Sequence, residues 1–316
     1  MKLQKKEKEV ITQHSTWYRF INEVKAHKTL YIMAIPVILY YLIFHYGPMY
    51  GAIIAFKDYD VVKGVMASKW VGFKHFIDFF QGMYFVRVLR NTLILSAYEL
   101  VASFPSAIIF ALLMNELKNL KFKKVVQTVT YLPHFISMVV VCGMIVDFFS
   151  TSGVITGFLE KLGLPKMNYV GSNDTFRHVY VWTNVWKAVG WNSIIYVAAL
   201  SGIDPTLYEA ASIDGAGRFR QVIHITIPGI TGTIVVMLIL KVGQIMSLGG
   251  EKIILLYGPS TYETAETISS FVYRYGLTGM KYSYTTAVGL FQSVVNLILI
   301  VGTNALSKRI TEMGIY

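Results

Sequence analysis

Three ionisable residues, Glu99, Lys187 and Lys241, lie inside long apolar segments of the sequence. Burying an unpaired charge is costly, so such residues usually mark a solute pathway or a buried pair. Trp186 and Asn192 accompany Lys187 in its segment. Aromatic rings can stack on the C–H faces of a sugar, while amide and ammonium groups can bind its hydroxyls. The combination predicts a pathway for a hydroxylated solute, and two lysines facing it would suit an acidic sugar.

Trp182 and Gln244 are further pathway candidates, but every candidate also has a structural interpretation. Glu99 could pair with a lysine and hold two helices together, and lysines near a helix end can extend to an interface. Tryptophans commonly anchor helices at the membrane surface. A glutamine between helices can serve as a hydrogen-bonding contact. Both interpretations stay open for each residue.

A second polar group is the stretch EAASIDGAGRFRQVIHITIPGI, residues 209–230, which separates two apolar segments. Asp204 and Pro205 are typical of a helix start, and Gly215 tolerates the left-handed backbone that ends many helices. Beyond it, Phe219 and Ile223 belong to an apolar set at helical spacing. The pattern predicts two short helices joined at a glycine. Their apolar face is either part of a solvated linker or a docking surface.

The composition predicts that these groups belong to an all-α integral membrane protein. The chain has 316 residues, of which 54% are hydrophobic and only 15% charged, whereas soluble domains carry about 25% charged residues. About 20 apolar residues span a bilayer as a helix. Six segments meet this length: 30–56, 91–115, 125–146, 178–200, 229–250 and 284–306.

The basic residues predict the orientation of these six spans. They cluster in the N-terminal tail, in the loop after the second span, between spans four and five, and after span six. Cytoplasmic loops carry an excess of Lys and Arg, so both termini are expected in the cytoplasm. We predict a tail over 1–28 and a membrane domain over 29–316, with a cytoplasmic loop over 201–228. The net charge of +11 forms no continuous stripe and comes with no nucleic-acid motif, so no nucleic-acid partner is expected.

The sequence lacks the motifs of common catalytic and nucleotide-binding sites. It contains no G-x-x-x-x-G-K-S/T phosphate loop, no H-E-x-x-H and no G-x-S-x-G, and its one cysteine, Cys142, offers no metal-ligand spacing. We therefore expect no catalysis, no metal and no cofactor on this chain. If ATP powers transport, another chain must bind it.

The order Glu-Ala-Ala, a glycine six residues after the glutamate, and then Ile-x-Ile-Pro resembles the EAA loop of membrane subunits in binding-protein-dependent ABC importers. The resemblance implies coupling helices that dock on an ATPase subunit. Glu209 would be the electrostatic anchor, Ala210 and Ala211 the close-contact surface, and Gly215 the hinge. Asp214 and Arg218, on either side of that glycine, complete the predicted coupling surface.

Further stretches resemble importers for complex oligosaccharides: FHYGPMYGAIIAFKDYD (44–60), RNTLILS (90–96), YLPHFIS (131–137), GQIMSLGGEKIILLYGP (243–259), VYRYGL (272–277) and YSYTTAVGLFQSVVN (282–296). The resemblance implies a type I importer domain in a bacterial cell membrane. Its implied partners are a second, similar membrane subunit, two ATPase subunits that hold ATP and Mg²⁺, and an extracellular solute-binding protein. The alternative is a self-sufficient secondary transporter or channel, which would favour inverted repeats and carboxylates within the membrane. A membrane-embedded enzyme is a third option, disfavoured by the missing catalytic motifs.

Overall fold

The computed structural model describes residues 23–311, and the chain divides into two compact units, residues 1–53 and residues 54–316. Most of the predicted tail over 1–28 lies outside the described residues. The tail and the domain boundary at residue 29 therefore stay predictions.

In the first unit, an apolar helix changes its winding ahead of a proline. Helix α1, Lys28–Tyr41, continues into a π-helical turn at Leu42–Tyr46, the short α2 at Gly47–Met49 and a 3₁₀ helix at Tyr50–Phe56 that runs into the second unit. Pro48 has no N–H, and its ring would clash with the carbonyl four residues earlier in a regular α-helix. The wider π-turn removes that clash.

The regular structure of the second unit is helical except for one small hairpin of two-residue strands, in which β1, Lys57–Asp58, pairs antiparallel with β2, Lys69–Trp70. Its α-helices are α3 Gly64–Ala67, α4 Lys74–Phe80, α5 Phe85–Glu116, α6 Leu120–Phe135, α7 Met138–Phe149, α8 Val154–Lys161, α9 Phe176–Leu200, α10 Pro205–Ile213, α11 Arg218–Gln221, α12 Ile227–Gly229, α13 Thr231–Val242, α14 Gly250–Leu256, α15 Tyr262–Ala265, α16 Ile268–Tyr273 and α17 Tyr282–Thr311. Further π-turns cover Val222–Thr226 and Arg274–Thr278, and a 3₁₀ turn covers Ile245–Ser247.

Four helical stretches in the described part are long and apolar enough to cross a membrane: Lys28–Phe56, Phe85–Glu116, Met138–Lys161 and Tyr282–Arg309. A fifth is possible if Arg218–Gly229 and Thr231–Val242, which meet at 61°, form one bent span. Six spans were predicted. The predicted span that is not among these five is 178–200, which corresponds to helix α9. Its 25 residues extend over about 37 Å, but many of its side chains are polar.

The predicted third span, 125–146, is divided rather than continuous. Helix α6 ends at Phe135 with Pro133 in its last turn, and α7 starts at Met138. The Ser137 hydroxyl accepts a hydrogen bond from the Val140 N–H and caps the start of α7. This break differs from the single helix expected from the apolar composition.

Helices α5 and α9 lie side by side and run in the same direction. Near their first residues, the side chains of Asn91 and Arg177 are hydrogen bonded, at 2.8 Å. Near their last residues, Ala107 and Ala111 of α5 share a buried cluster with Tyr196 and Leu200 of α9. The loop over 201–228, which follows the last residue of α9, therefore lies at the end of the unit far from Arg177.

Candidate coupling surface and solute pathway

The first helix of the loop has well-defined ends. The Asp204 carboxylate accepts a hydrogen bond from the Thr206 N–H at 2.9 Å, which also lowers the pKa of that carboxyl. At the other end Gly215 adopts φ +77°, and the N–H of Ala216 donates to the carbonyl of Ala211 at 2.8 Å. The Gly215 N–H donates to the backbone carbonyl of Ser212 at 3.1 Å, which completes a Schellman motif. The predicted helix, its cap and its glycine end are confirmed.

The second helix of the loop begins at Arg218, with Gly217 as its N-cap residue, and continues through a π-turn to Gly229. Gln221 Nε2 donates to the Ser212 hydroxyl at 3.0 Å, and the Tyr208 hydroxyl lies 3.1 Å from that of the buried Thr226. These bonds hold the two short helices against each other. The loop therefore has a defined shape.

Most of the predicted coupling residues are exposed on this loop: Glu209, Ala210, Asp214, Gly215 and Arg218, with Ala211 half-buried. Within the described part of the chain, Glu209 makes no ion pair. Apolar side chains accompany them, and Ile213 and Phe219 are 87% and 79% exposed. The loop thus presents apolar, acidic and basic groups that the described residues leave uncovered.

Lys187 is buried, with 7% of its surface exposed. Its ammonium donates to the carbonyls of Pro133, His134 and Ile136 at 3.0, 3.1 and 2.7 Å. These carbonyls lie at the break between α6 and α7, where the end of α6 leaves carbonyls without the N–H groups of a following helical turn. The Lys187 side chain therefore caps the C-terminal end of α6. This is a structural role, although not the carboxylate pair considered from the sequence.

Glu99, Lys241 and Gln244 share one cavity of about 220 Å³ between α5 and the end of α13. Its wall also includes the hydroxyl residues Ser96, Ser103 and Ser247. Asn184 Nδ2 donates to Glu99 Oε1 at 2.6 Å, while the buried Oε2 has no hydrogen-bond partner in the described residues. Three predicted pathway residues thus meet in a polar cavity with spare hydrogen-bonding capacity.

The tryptophans of α9 lie apart from this cavity. Trp182 and Trp186 line a separate, largely apolar pocket between α7, α8 and α9. Trp191 stacks on His134 with ring centroids 4.2 Å apart. Asn192 is half-buried on the same helix and lines neither pocket. The structure does not bring these residues together with Glu99.

Buried Lys252 is a cation that the sequence analysis missed. Its ammonium donates to the Tyr180 carbonyl at 2.7 Å and to the Thr183 hydroxyl at 3.0 Å, and lies 4.6 Å from the centre of the Tyr180 ring. It follows the apolar segment 229–250 in the sequence, so it looked like a residue of an outer loop. Helix α14 instead packs it against α9.

A buried ion network was also missed, at the end of the unit far from the coupling loop. Glu266, which is completely buried, forms ion pairs with Arg87 and Arg274. Nearby, Arg177 Nε donates to the Thr264 carbonyl at 3.1 Å. Asn91 Nδ2 donates to the Glu266 carbonyl at 3.2 Å. The network joins the starts of α5 and α9 to the segment after α14. These residues are spread over nearly 190 positions of the sequence, and no local pattern indicates their contact.

A mostly helical chain with several membrane-length helices, a structured polar loop between spans and a polar cavity among them is an integral membrane transport subunit. A family model confirms this: the chain belongs to the binding-protein-dependent transport system inner membrane components, which match residues 79–312. It is thus a membrane permease of such a transport system.

Two proteins of Bacillus subtilis strain 168 are similar over nearly their whole length. Protein LplB is 43% identical over 294 residues, covering 93% of this chain and 92% of the relative. The polygalacturonan/rhamnogalacturonan transport system permease protein YteP is 44% identical over 299 residues, covering 94% and 93%.

Two crystal structures of bacterial transporters contain a similar chain. One is an ABC transporter involved in the import of the acidic polysaccharide alginate, with a TM-score of 0.85, 43% identity and coverage of 93% of this chain and 99% of that one. The other is an alginate ABC transporter in complex with an alginate pentasaccharide-bound periplasmic protein, with a TM-score of 0.86, 43% identity and coverage of 94% and 100%.

Proposed function

We propose that this chain is a translocation subunit of an ABC importer that moves oligosaccharides, including acidic fragments of polysaccharides, into the bacterial cytoplasm. The support is the similarity to a polygalacturonan/rhamnogalacturonan permease and to alginate transporter chains, each at more than 40% identity over more than 90% of this chain. The polar cavity at Glu99 is consistent with a hydroxylated solute, since it offers carboxylate, ammonium, amide and hydroxyl groups.

The loop over 201–228 is the proposed coupling surface for a separate ATPase subunit. The observation that carries this proposal is a structured loop whose apolar side chains Ile213 and Phe219 are exposed beside Glu209. Uncovered apolar residues rimmed by polar ones are typical of protein interfaces. In this proposal Glu209 is the electrostatic anchor, Ala210 and Ala211 allow close approach, and Gly215 sets the angle between the helices. Asp214 and Arg218 form the polar rim.

The same proposal assigns the remaining partners. ATP and Mg²⁺ are held by two ATPase subunits, and this chain carries out no catalysis. A second, similar membrane subunit completes the pathway. The loop and both termini face the cytoplasm, and the solute-binding protein approaches the opposite end, where the Glu266 network lies. Pathway roles are proposed for Glu99, Lys241 and Gln244. For four other residues a pathway role remains only a prediction from the sequence: Lys187, Trp182, Trp186 and Asn192.

Replacing Ile213 or Phe219 with Asp tests the coupling surface, because a charge there would have to be desolvated at the interface. We expect the ATPase subunit to be lost when the co-expressed complex is purified through a tag on this chain. Val62→Asp is the matched control, since Val62 is 95% exposed at the opposite end of the unit. Full recovery of the ATPase with both Ile213→Asp and Phe219→Asp would refute the docking assignment.

A further inference from the structure

A second polar cavity, of about 540 Å³, lies at the end of the unit far from the coupling loop. Its walls come from the end of β1 and the next residue, from α4 and the turn that follows it, from the π-turn Arg274–Thr278, and from the start of α17 with the residues just before it. The Tyr59 N–H donates to the Ser283 hydroxyl at 2.9 Å and fixes two of these walls together. The volume lies within the range of small-molecule sites, about 300–1,000 Å³.

Tyrosine is the commonest residue in the wall of this cavity, with Tyr59, Tyr84, Tyr275, Tyr282 and Tyr284. The rings of Tyr84 and Tyr275 have centroids 5.6 Å apart, and those of Tyr59 and Tyr282 are 6.2 Å apart. Neighbouring cations hold two of them in place.

The Arg87 guanidinium lies 4.8 Å from the centre of the Tyr84 ring, and the Lys281 ammonium lies 5.6 Å from that of Tyr275. The aromatic wall is therefore largely preformed, which lowers the entropic cost of binding.

The charges of the cavity wall are mainly negative. Asp58 and Asp78 are exposed, and among the described residues neither forms an ion pair. Lys281 is the one ammonium in the wall. The His75 ring is already hydrogen bonded within the wall, since its Nε2 lies 3.1 Å from the Lys57 carbonyl oxygen. Two free carboxylates offer acceptors for hydroxyl groups, and they disfavour a ligand that carries its own carboxylate nearby.

We propose that this cavity is a saccharide subsite that holds an uncharged pyranose ring of the oligosaccharide. A pyranose has C–H faces that stack on tyrosine rings and hydroxyls that donate to carboxylates, and hydrogen bonds to charged groups are stronger than neutral ones. The inference rests on the proposed function and extends it. An oligosaccharide with both neutral and acidic rings would place a neutral ring here. An oligosaccharide made only of uronates would bind poorly.

The test is calorimetric titration of the full-length chain in lipid nanodiscs. One probe is a rhamnogalacturonan tetrasaccharide, which alternates acidic and neutral rings, and the other is a galacturonan tetrasaccharide, in which every ring is a uronate. We expect about tenfold tighter binding of the first, because hydrogen bonds to the aspartates favour a neutral ring. Asp78→Asn and Tyr282→Ala should each weaken binding of the first probe about tenfold.

Two further variants serve as controls. Asp174→Asn removes an equal charge at the same end but outside the cavity wall, and binding should be unchanged. Tyr282→Phe keeps the ring and should retain most of the affinity even if the alanine variant folds poorly. Equal binding of both probes, or tighter galacturonan binding by Asp78→Asn without loss of the first probe, would overturn the subsite.

The assembled transporter separates this inference from the proposed function. If wild-type transporter shows no ATP-driven uptake of either saccharide, the proposed function fails. If uptake is present while Asp78→Asn and Tyr282→Ala bind both probes like the wild type, only the subsite fails.

Discussion

At the scale of single residues, Glu266 is the one buried acidic residue in the described part of the molecule. Its carboxylate is completely buried and accepts a hydrogen bond from the Nε–H of Arg274 at 2.7 Å, besides its ion pair with Arg87. Arg274 also lies 4.6 Å from the centre of the Tyr262 ring. Removing the Glu266 carboxylate leaves the guanidiniums of Arg87 and Arg274, whose side chains are only 22% and 29% exposed, without this ion-pair partner.

We predict that Glu266→Gln lowers the free energy of unfolding of the purified chain by about 3–5 kcal/mol and lowers its thermal unfolding midpoint. The matched control is Glu263→Gln. Glu263 forms ion pairs with Arg90 at 3.1 Å and with Arg87 at 4.0 Å but is 60% exposed, and exposed pairs contribute about 0–1 kcal/mol. Thermal unfolding of both variants in detergent would check this, and equal midpoints for the two would contradict the role of the buried pair.

Residue types predicted part of the candidate pathway. Glu99, Lys241 and Gln244 were chosen because polar groups in apolar segments are costly, and the structure places all three around one cavity. The same reasoning selected Lys187, whose ammonium closes a helix end instead. Composition alone cannot separate a pathway lysine from a structural one. It does not indicate the break between α6 and α7, whose backbone carbonyls accept hydrogen bonds from Lys187.

At the scale of elements, the coupling loop is the part that local sequence determines best. Asp204, Pro205 and Gly215 act within a few residues of their own position, so capping rules predict both ends of α10. The bend at Ile230, where the flanking helices meet at 61°, depends on packing as well. The backbone pattern before Pro228 repeats that before Pro48, with a π-turn ahead of each proline.

We predict that Gly215→Ala weakens coupling, because a non-glycine residue in the left-handed region costs about 1–2 kcal/mol and the turn would rearrange. No atom lies within 4 Å of a Cβ added at this position, so the effect would come from the backbone alone. Solute-stimulated ATP hydrolysis by the assembled transporter measures it.

Gly217→Ala is the control for this prediction. Gly217 has φ −67°, and an added Cβ there also meets no atom within 4 Å. Its activity should match that of the wild type. The same activity for Gly215→Ala would show that the turn geometry is not needed for coupling.

At the scale of the whole molecule, the second unit separates two polar regions by the length of α9. The coupling loop lies at one end, and the Glu266 network and the tyrosine-lined cavity lie at the other, with the Glu99 cavity along α5 between them. Hydropathy predicted the helical membrane architecture because apolar length is a local property. It did not predict the second polar end, whose residues meet only through long-range packing.

The most direct test of the account is sugar uptake by proteoliposomes that contain this chain with its ATPase subunits, its membrane partner and the solute-binding protein. We predict that acidic oligosaccharides accumulate only when hydrolysable ATP is present on the side of the membrane that carries the ATPase subunits. Ile213→Asp should abolish this accumulation. Accumulation by this chain alone, driven by an ion gradient and independent of ATP, would contradict the account and establish a self-sufficient transporter instead.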